Sequence, residues 1–315
     1  MRASTVSAIA ETTPLAGAGA AAAAVAVCAG RVHVAFGDAA VHYRASSDGG
    51  RTWHDAISFG DGRPTGPHAL ACEGGVVALA ARRDTAIWIW TSVDGGDSWT
   101  RPARIADDAT GEAVVAVHDA SVTVAWTART ADGWHVAARR QVDGVWQAAR
   151  VVADGRREGV PAIALDAAGR LLAWQVDGSV RTSSPWETGA TAGRFAATGS
   201  LLDATANGPL LVDAGTPAAV AQVNGAGRLV RTAPVSASAV VIDAAEVDDT
   251  HVAASWMAAG HRGVALSIDG GRSWRVRALE VGGTAALAAA PGALHVVVVD
   301  DRGAVHYARL VIARD

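Results

Sequence analysis

The stretch Ser46-Ser47-Asp48-Gly49-Gly50-Arg51-Thr52-Trp53 decides the fold, because the chain repeats it twice in nearly the same letters. The other two copies run from Ser92 to Trp99 and from Ser267 to Trp274. Each copy lies between two runs of alternating apolar and polar residues, the pattern of β-strands. An Asp can bind the amides of its own turn and a Gly-Gly pair supplies positive φ angles, so each copy predicts a hairpin turn.

The shared pattern S-x-D-G-G-x-[ST]-W resembles the Asp-box (BNR) repeat of sialidase-like β-propellers. The resemblance implies an all-β propeller, and it implies that each box is a structural turn remote from any catalytic centre. The box residues are Ser46, Asp48, Gly50 and Trp53 in the first copy, Ser92, Asp94, Gly96 and Trp99 in the second, and Ser267, Asp269, Gly271 and Trp274 in the third.

A longer repeat surrounds the boxes. Seven pairs of short apolar strands, each followed by a third strand, recur along the chain. Turn signals at every joint and the lack of helical periodicity are typical of propeller blades. The sequence therefore predicts a single domain over residues 1–315, a seven-bladed β-propeller, with six blades as the alternative. The blades are expected at about 20–62, 66–106, 112–153, 159–190, 208–238, 239–282 and 284–315.

The last blade runs out of chain after its third strand, at Asp315. Residues 4–10 form a spare strand ahead of the first blade. Because a closed ring leaves no exposed sheet edge, we expect residues 4–10 to be the outer strand of the seventh blade.

Composition restricts the classes of partner. The 315 residues carry a formal net charge of −4 and a pI near 6.2, so the chain lacks the basic excess that nucleic-acid binding requires. No stretch is a plausible membrane span. The run from Ala16 to Cys28 has too little Leu, Ile or Phe for a convincing signal peptide, although the resembled family is often secreted. Compartment and oligomeric state stay open.

Charged residues concentrate in the joints that a propeller places opposite its Asp boxes. A ligand is expected at the channel mouth lined by the second, third and fourth blades. The predicted ligand-binding residues are Arg82, Arg83, Asp84, Arg129, Asp132, Trp134, Arg157, Glu158 and Asp177. Several arginines in one concave mouth favour an anionic ligand, because a guanidinium group can bind a carboxylate through paired hydrogen bonds. Trp134 is expected to be exposed, and the joint from Thr188 to Gly208 is expected to fold over this side as a lid.

The resemblance also implies catalytic groups that this chain does not supply. A sialidase needs an arginine triad, a Tyr nucleophile with a Glu partner, and an acid/base Asp. Tyr43 and Tyr307 occupy the same position of two repeats inside third strands, where packing is the expected role. We therefore expect a non-catalytic or divergent sialidase-like propeller that binds a glycan or a protein ligand. A glycoside hydrolase or lyase using rim carboxylates is the alternative.

No cofactor and no metal are expected, because HxH, HExxH and CxxC spacings are absent. Cys28 and Cys72 fall at the same point of successive repeats and predict small buried thiols rather than a disulfide or a metal pair. Two further sets share one repeat position each, which indicates packing: His33, His251 and His295, and Trp126, Trp174 and Trp256.

Overall fold

The fold is all-β, as predicted. The computed structural model describes residues 12–17, 19–37, 40–59, 69–156, 161–176, 179–186, 193–196, 199–205, 208–213, 218–223, 229–236, 240–246, 252–258, 261–267, 275–279 and 283–311. These residues form strands and turns, and none of the described segments is a helix that could cross a membrane. Their strands assemble into seven antiparallel sheets.

Strand order within the sheets follows the chain, except that β1 (Thr13–Ala16) belongs to the last sheet. The first sheet contains β2 (Ala22–Cys28), β3 (Arg31–Gly37), β4 (Val41–Ser46) and β5 (Ile57–Phe59). The second contains β6 (Ala69–Glu73), β7 (Val76–Arg83), β8 (Ala86–Ser92) and β9 (Ala103–Ala106). The third has five strands, β10 (Ala109–His118), β11 (Ser121–Thr130), β12 (Gly133–Val142), β13 (Val145–Trp146) and β14 (Arg150–Gly155). In this sheet β13 and β14 both pair with β12.

The remaining sheets each have four strands. The fourth contains β15 (Ala162–Leu165), β16 (Leu172–Val176), β17 (Ser179–Ser183) and β18 (Gly193–Ala196). The fifth contains β19 (Gly199–Thr205), β20 (Gly208–Asp213), β21 (Ala218–Val223) and β22 (Leu229–Ser236). The sixth contains β23 (Val240–Glu246), β24 (Val252–Ala258), β25 (His261–Ser267) and β26 (Arg275–Leu279). The seventh contains β27 (Thr284–Ala290), β28 (Ala293–Val299), β29 (Val305–Val311) and β1.

An N-terminal strand completes the seventh sheet, but it is not the strand that the sequence predicted. Thr13 pairs with Tyr307 and Pro14 with His306, so β1 occupies the outer position assigned to residues 4–10. Residues 4–10 lie outside the described residues. Pro14 weakens the β-strand signal of β1 in the sequence. An outer strand pairs on one side only and therefore tolerates a proline.

The predicted lid is also corrected. β18 and β19 both lie within the joint from Thr188 to Gly208, so this segment supplies the outer strand of the fourth sheet and the first strand of the fifth. The apolar run that begins at Leu210 is consequently the second strand of the fifth sheet and not its first. Small and polar residues dominate these two strands, which weakens their β-strand signal.

The chain divides into two compact units. Unit 1 comprises Met1–Asp61, Thr216–Val220 and Ala233–Asp315, and unit 2 comprises Gly62–Gly215 and Ala221–Thr232. In unit 1 the seventh sheet shares one core with the first sheet, built from buried Val, Leu and aromatic side chains, and another with the sixth, built from Val, Leu and Ala. In unit 2 the third sheet packs against the second on one face and against the fourth on the other.

The turn after β4 has the hydrogen bonds that its sequence predicts. Oδ1 of Asp48 accepts the hydroxyl of Ser46 at 2.8 Å and the amide of Thr52 at 2.9 Å, and Oδ2 accepts the Thr52 hydroxyl at 2.6 Å. The indole N–H of Trp53 donates to the Gly50 carbonyl at 3.1 Å. Gly50 has a φ of 90°, which a residue with a side chain rarely adopts. The eight residues therefore close on themselves through their own polar groups.

The turn after β8 repeats this network. Asp94 accepts the Ser92 hydroxyl at 2.7 Å, the Ser98 amide at 2.8 Å and the Ser98 hydroxyl at 2.5 Å. The Trp99 indole donates to the Gly96 carbonyl at 3.1 Å, and Gly96 has a φ of 91°. In the third copy Ser267 is buried at the end of β25, and the predicted Asp269, Gly271 and Trp274 lie outside the described residues.

Arg44 connects the segment after the first of these turns to β1. Its Nε donates to the His54 carbonyl and its Nη1 to the Leu15 carbonyl, both at 2.8 Å. Arg139 occupies the same position in the third sheet and donates through Nε to the Gln147 carbonyl at 2.6 Å. The turn after β12, Asp143-Gly144-Val145-Trp146, lacks the Gly-Gly pair, yet the third sheet keeps an arginine that donates to the carbonyl just beyond the turn.

The turn carboxylates should make the folded chain sensitive to acid. The pKa values of Asp48 and Asp94 lie well below the ordinary 3.8, first because the Thr52 and Ser98 hydroxyls donate to them. A lowered pKa adds stability that is complete above the ordinary value and is lost as the pH falls below it. We expect Asp48→Asn to lower the melting temperature by a few degrees at neutral pH and to reduce the loss of stability between about pH 5 and about pH 2.

Thermal melts across that pH range check this expectation. Asp55→Asn is the matched control, because Asp55 is exposed just beyond the turn. A variant Asp48→Asn that loses as much stability in acid as the parent would contradict the assignment of the carboxylate.

Candidate functional site

The predicted ligand-binding residues of the second and third sheets lie at the rim, the ends of the hairpins β7–β8 and β11–β12. Arg82 and Arg83 end β7, and Asp84 follows them in a turn with a φ of 53°. Arg129 lies near the end of β11, and Asp132 lies exposed in the turn before β12. Ser92 pairs with Val77 at the other end of β7 and β8, so the Asp-containing turn and these arginines are at opposite ends of the second sheet. The predicted residues Arg157, Glu158 and Asp177 lie outside the described residues.

Two of the predicted arginines converge on Thr110, at the start of β10. The Arg82 guanidinium donates through Nη1 to the Thr110 carbonyl at 3.2 Å. The backbone amide of Arg129 donates to the Thr110 hydroxyl at 2.6 Å, and its side chain is exposed. Ala109 also donates to the Thr85 carbonyl at 2.8 Å, which holds the β7–β8 turn against the third sheet. The structure therefore brings Arg82 and Arg129 to one place.

Arg83 has a different environment from Arg82. Its guanidinium carbon lies 5.8 Å from the ring centre of Trp88 and 5.4 Å from that of Trp90, within the range of cation–π attraction. Neighbouring residues of a strand point to opposite faces, so Arg82 and Arg83 project from opposite faces of the second sheet. Arg83 is consequently not grouped with Arg82 and Arg129.

Trp134 is buried and not exposed, contrary to the prediction. Only 3% of its surface is accessible, and it packs in the core between the third and fourth sheets. Gly155 makes room for it, because a Cβ at Gly155 would lie 2.4 Å from the indole Cζ2. Trp126 and Trp174 are buried too, which confirms the packing role predicted for them; Trp256 has no described side chain. None of the three described indoles offers a face on which a sugar could stack.

Asp108 binds two neighbouring groups at the same edge of the third sheet. Its Oδ1 accepts the Trp126 indole N–H at 3.2 Å, and its Oδ2 lies 3.1 Å from His135 Nε2. Arg104 and Asp107 form an ion pair beside it. The sequence did not identify Thr110 or His135, because neither belongs to a charged run.

Both tyrosines are structural, as predicted. Tyr43 and Tyr307 are 1% and 3% accessible, and each hydroxyl binds the Nδ1 of a buried histidine, His33 at 2.6 Å and His295 at 2.7 Å. Burial, and after it the charge of Arg309, lowers the pKa of His295 to about 4. Burial raises the pKa of Tyr307 above its ordinary 10.0. A buried phenol that ionises less readily than usual is unsuited to nucleophilic attack.

The cysteines correct a further prediction. Cys28 and Cys72 are both disulfide-bonded, and the chain contains no free thiol. The prediction of two buried thiols is therefore wrong. Two cysteines at equivalent positions of successive repeats form no spacing pattern that predicts a disulfide.

One cluster in unit 2 has metal-ligand chemistry. Glu73, His118 and Asp119 place one ligand atom each within 4.8 Å of the others. Arg170 donates through Nη2 to His118 Nε2 at 3.0 Å, while Glu73 Oε1 lies 3.0 Å from Nδ1. Because a guanidinium group can only donate, the imidazole lone pair is already used and a cation at Nε2 would have to displace Arg170.

A cavity of about 250 Å³ lies in unit 1, where the segment between β1 and β2 passes the end of β3. Leu15, Phe36 and His42 contribute the large side chains of its wall, and the other six lining positions, Gly17 and Ala56 among them, are Gly or Ala. The sequence does not predict this cavity, because most of its small lining residues belong to the Ala- and Gly-rich run that begins at Ala16 and form no recognisable motif.

No protein-family model matches the chain, and no curated protein matches it. Solved structures do match. The structure of YCF48 bound to D1 peptide is similar with a TM-score of 0.63 at 15% identity, over 98% of this chain and 100% of that one. A structure from an analysis of two prolyl endopeptidases is similar with a TM-score of 0.59 at 14% identity, over 98% of this chain and 51% of that one. At such identities the likeness concerns the fold alone, and it indicates that this chain has a β-propeller fold.

Proposed function

We propose that this chain is a non-catalytic, sialidase-like β-propeller that binds an acidic peptide at its rim. In this proposal each of the seven sheets is one blade of a single domain, and the turns after β4 and β8 are Asp boxes. Their matching hydrogen-bond networks, with the Asp accepting from the turn and the Trp donating back to it, support that reading.

The convergence of Arg82 and Arg129 on Thr110 carries the proposal. Their cationic side chains start from adjacent sheets of unit 2, at the end away from the turn that contains Asp94. A guanidinium fork matches the two oxygens of a carboxylate, and paired hydrogen bonds to an ionised group are roughly twice as strong as neutral ones. An anionic ligand therefore has two cations to bind at one edge. Arg157, Glu158 and Asp177 remain predicted members of the same rim.

A peptide fits this edge better than a glycan. Sugar recognition commonly uses exposed aromatic faces, and the indoles of Trp126, Trp134 and Trp174 are all buried. The structural relative YCF48 was solved with a peptide bound, which makes a peptide ligand a natural first choice for this fold. A glycan ligand is the alternative within the same binding function.

A hydrolase that uses rim carboxylates is the second candidate. Asp84 and Asp132 lie exposed in the turns of the same two hairpins that carry Arg82 and Arg129. Two carboxylates facing a ligand could act as acid and base in glycoside cleavage. The hydrolase candidate requires that the chain turn over a substrate, whereas the binding function does not.

The test is a binding titration with an Asp- and Glu-rich peptide, compared with the same peptide carrying Asn and Gln. We expect saturable binding of the acidic peptide only, weakened several-fold by Arg82→Ala and by Arg129→Ala and weakened further by salt. Arg101→Ala is the matched control, because Arg101 is an exposed arginine of unit 2 outside the rim hairpins. Melting temperatures should stay near that of the parent in all three variants.

The same samples separate the alternatives. A glycan array that gives binding while the acidic peptide gives none would replace the peptide by a glycan. Turnover of a chromogenic glycoside that Asp84→Asn or Asp132→Asn abolishes would make the chain an enzyme. Peptide binding that neither rim arginine affects would place the site elsewhere.

A further inference from the structure

We propose that the cavity of unit 1 is a binding site for a small, uncharged aromatic group with one hydrogen-bonding substituent, such as a phenol. The proposal is independent of the acidic-peptide site, which lies in unit 2. It rests on the size of the cavity and on the residues that line it.

The size of the cavity suits a single substituted ring. Cavities of about 150 Å³ lined by apolar side chains can hold benzene. The cavity here measures about 250 Å³, which leaves room for a ring and a polar substituent but not for a large ligand. It is open to solvent, since Gly17 and Ala56 on its wall are exposed.

The wall favours an aromatic occupant. Phe36 and His42 line the cavity, and their ring centres lie 5.6 Å apart with a tilt of 33°. Aromatic rings attract one another in offset and edge-to-face arrangements at such separations. The Gly and Ala positions let the flat face of a ring approach the backbone closely. Leu15 and Phe36 are nearly inaccessible and form the apolar floor.

Polar contacts at the wall favour an uncharged ligand with one hydrogen bond. His42 is the one lining residue with a polar side chain, and its Nδ1 lies 2.9 Å from the Ser58 hydroxyl. That contact leaves Nε2 as the ring nitrogen that can serve a ligand. Arg44 donates to the carbonyl of the lining residue Leu15, so a positive charge lies behind the wall and disfavours cationic ligands. No lining side chain is a carboxylate or an arginine.

Gly17 offers a way to close the cavity without disturbing the fold. A Cβ built at Gly17 meets nothing within 4 Å, and its φ lies outside the left-handed region. Because Gly17 is one of the residues that line the cavity, Gly17→Val adds a side chain at the wall without a clash. Ala56→Leu narrows the cavity from another side.

The experiment measures binding of phenol, toluene and glucose to the full chain by ligand-observed NMR. We expect phenol to bind in the millimolar range, toluene more weakly and glucose not at all. Gly17→Val and Ala56→Leu should each weaken phenol binding several-fold, and the melting temperature should not fall. Ala148→Leu is the matched control, because Ala148 is exposed and far from the cavity in sequence and sheet. His42→Phe should reduce phenol binding to the level of toluene.

Three results would overturn the proposal. Phenol and toluene that both fail to bind the folded parent would leave the cavity without the proposed ligand class. Phenol binding that Gly17→Val and Ala56→Leu leave unchanged would place the ring elsewhere. Glucose binding in the absence of phenol binding would assign the cavity to a sugar.

Discussion

Gly50→Ala should be strongly destabilising, because Tyr307 occupies the space of the missing side chain. A Cβ at Gly50 would lie 1.9 Å from a ring carbon of Tyr307. The ring cannot move away easily, since its hydroxyl binds His295 and the Gly49 carbonyl and its edge packs on Trp53. Positive φ costs an alanine about 1–2 kcal/mol and overpacking adds about 1–3 kcal/mol, so we expect a loss of roughly 2–5 kcal/mol.

Gly30→Ala separates the two contributions. Gly30 also has a positive φ, of 75°, but a Cβ there meets nothing within 4 Å, so only the backbone cost of about 1–2 kcal/mol applies. Denaturant unfolding of both variants measures the difference. Combining Gly50→Ala with Tyr307→Ala should reduce the cost of the Gly50 change to that of Gly30→Ala. Equal losses at Gly50 and Gly30 in the parent background would contradict the contact with Tyr307.

Reduction of the disulfide should be the second large effect. Removing one native disulfide typically costs about 2–4 kcal/mol, mainly because the unfolded chain becomes less restrained. We expect neither Cys28 nor Cys72 to react with a thiol reagent until the denatured protein is reduced. The melting temperature should then fall by several degrees in the presence of a reductant.

The variant with Cys28→Ser and Cys72→Ser is the control for this prediction. Its melting temperature should match that of the reduced parent and should not respond to reductant. Mass spectrometry after alkylation counts the free thiols directly. Two alkylated cysteines in the unreduced parent would show that the bond does not form.

The sequence was sufficient to predict those elements that are stabilised by contacts between nearby residues. Asp48 accepts hydrogen bonds from hydroxyls and amides of its own eight-residue turn, so the sequence of that turn alone predicted it. The positions of Tyr43 and Tyr307 predicted packing because one environment recurs in two sheets. Alternation of apolar residues likewise located most strands of the first four sheets.

The features that the sequence missed depend on distant neighbours. Trp134 is buried because Gly155, on the paired strand β14, leaves space for its ring. Thr110 joins Arg82 and Arg129 partly through its backbone carbonyl, which no residue pattern reports. The failed prediction for residues 188–208 has the same origin, since weak strands there are held by the sheets that they join.

The pairing of β1 with β29 has a consequence for the order of folding. The two strands lie almost the whole length of the chain apart, and their contact closes a very long loop. During synthesis Thr13–Ala16 emerges from the ribosome before the other described strands and has no partner until β29 emerges. The seventh sheet is therefore completed last, and a nascent chain truncated before β29 would carry unpaired backbone at both of its ends. Completion of the seventh sheet thus depends on the synthesis of β29.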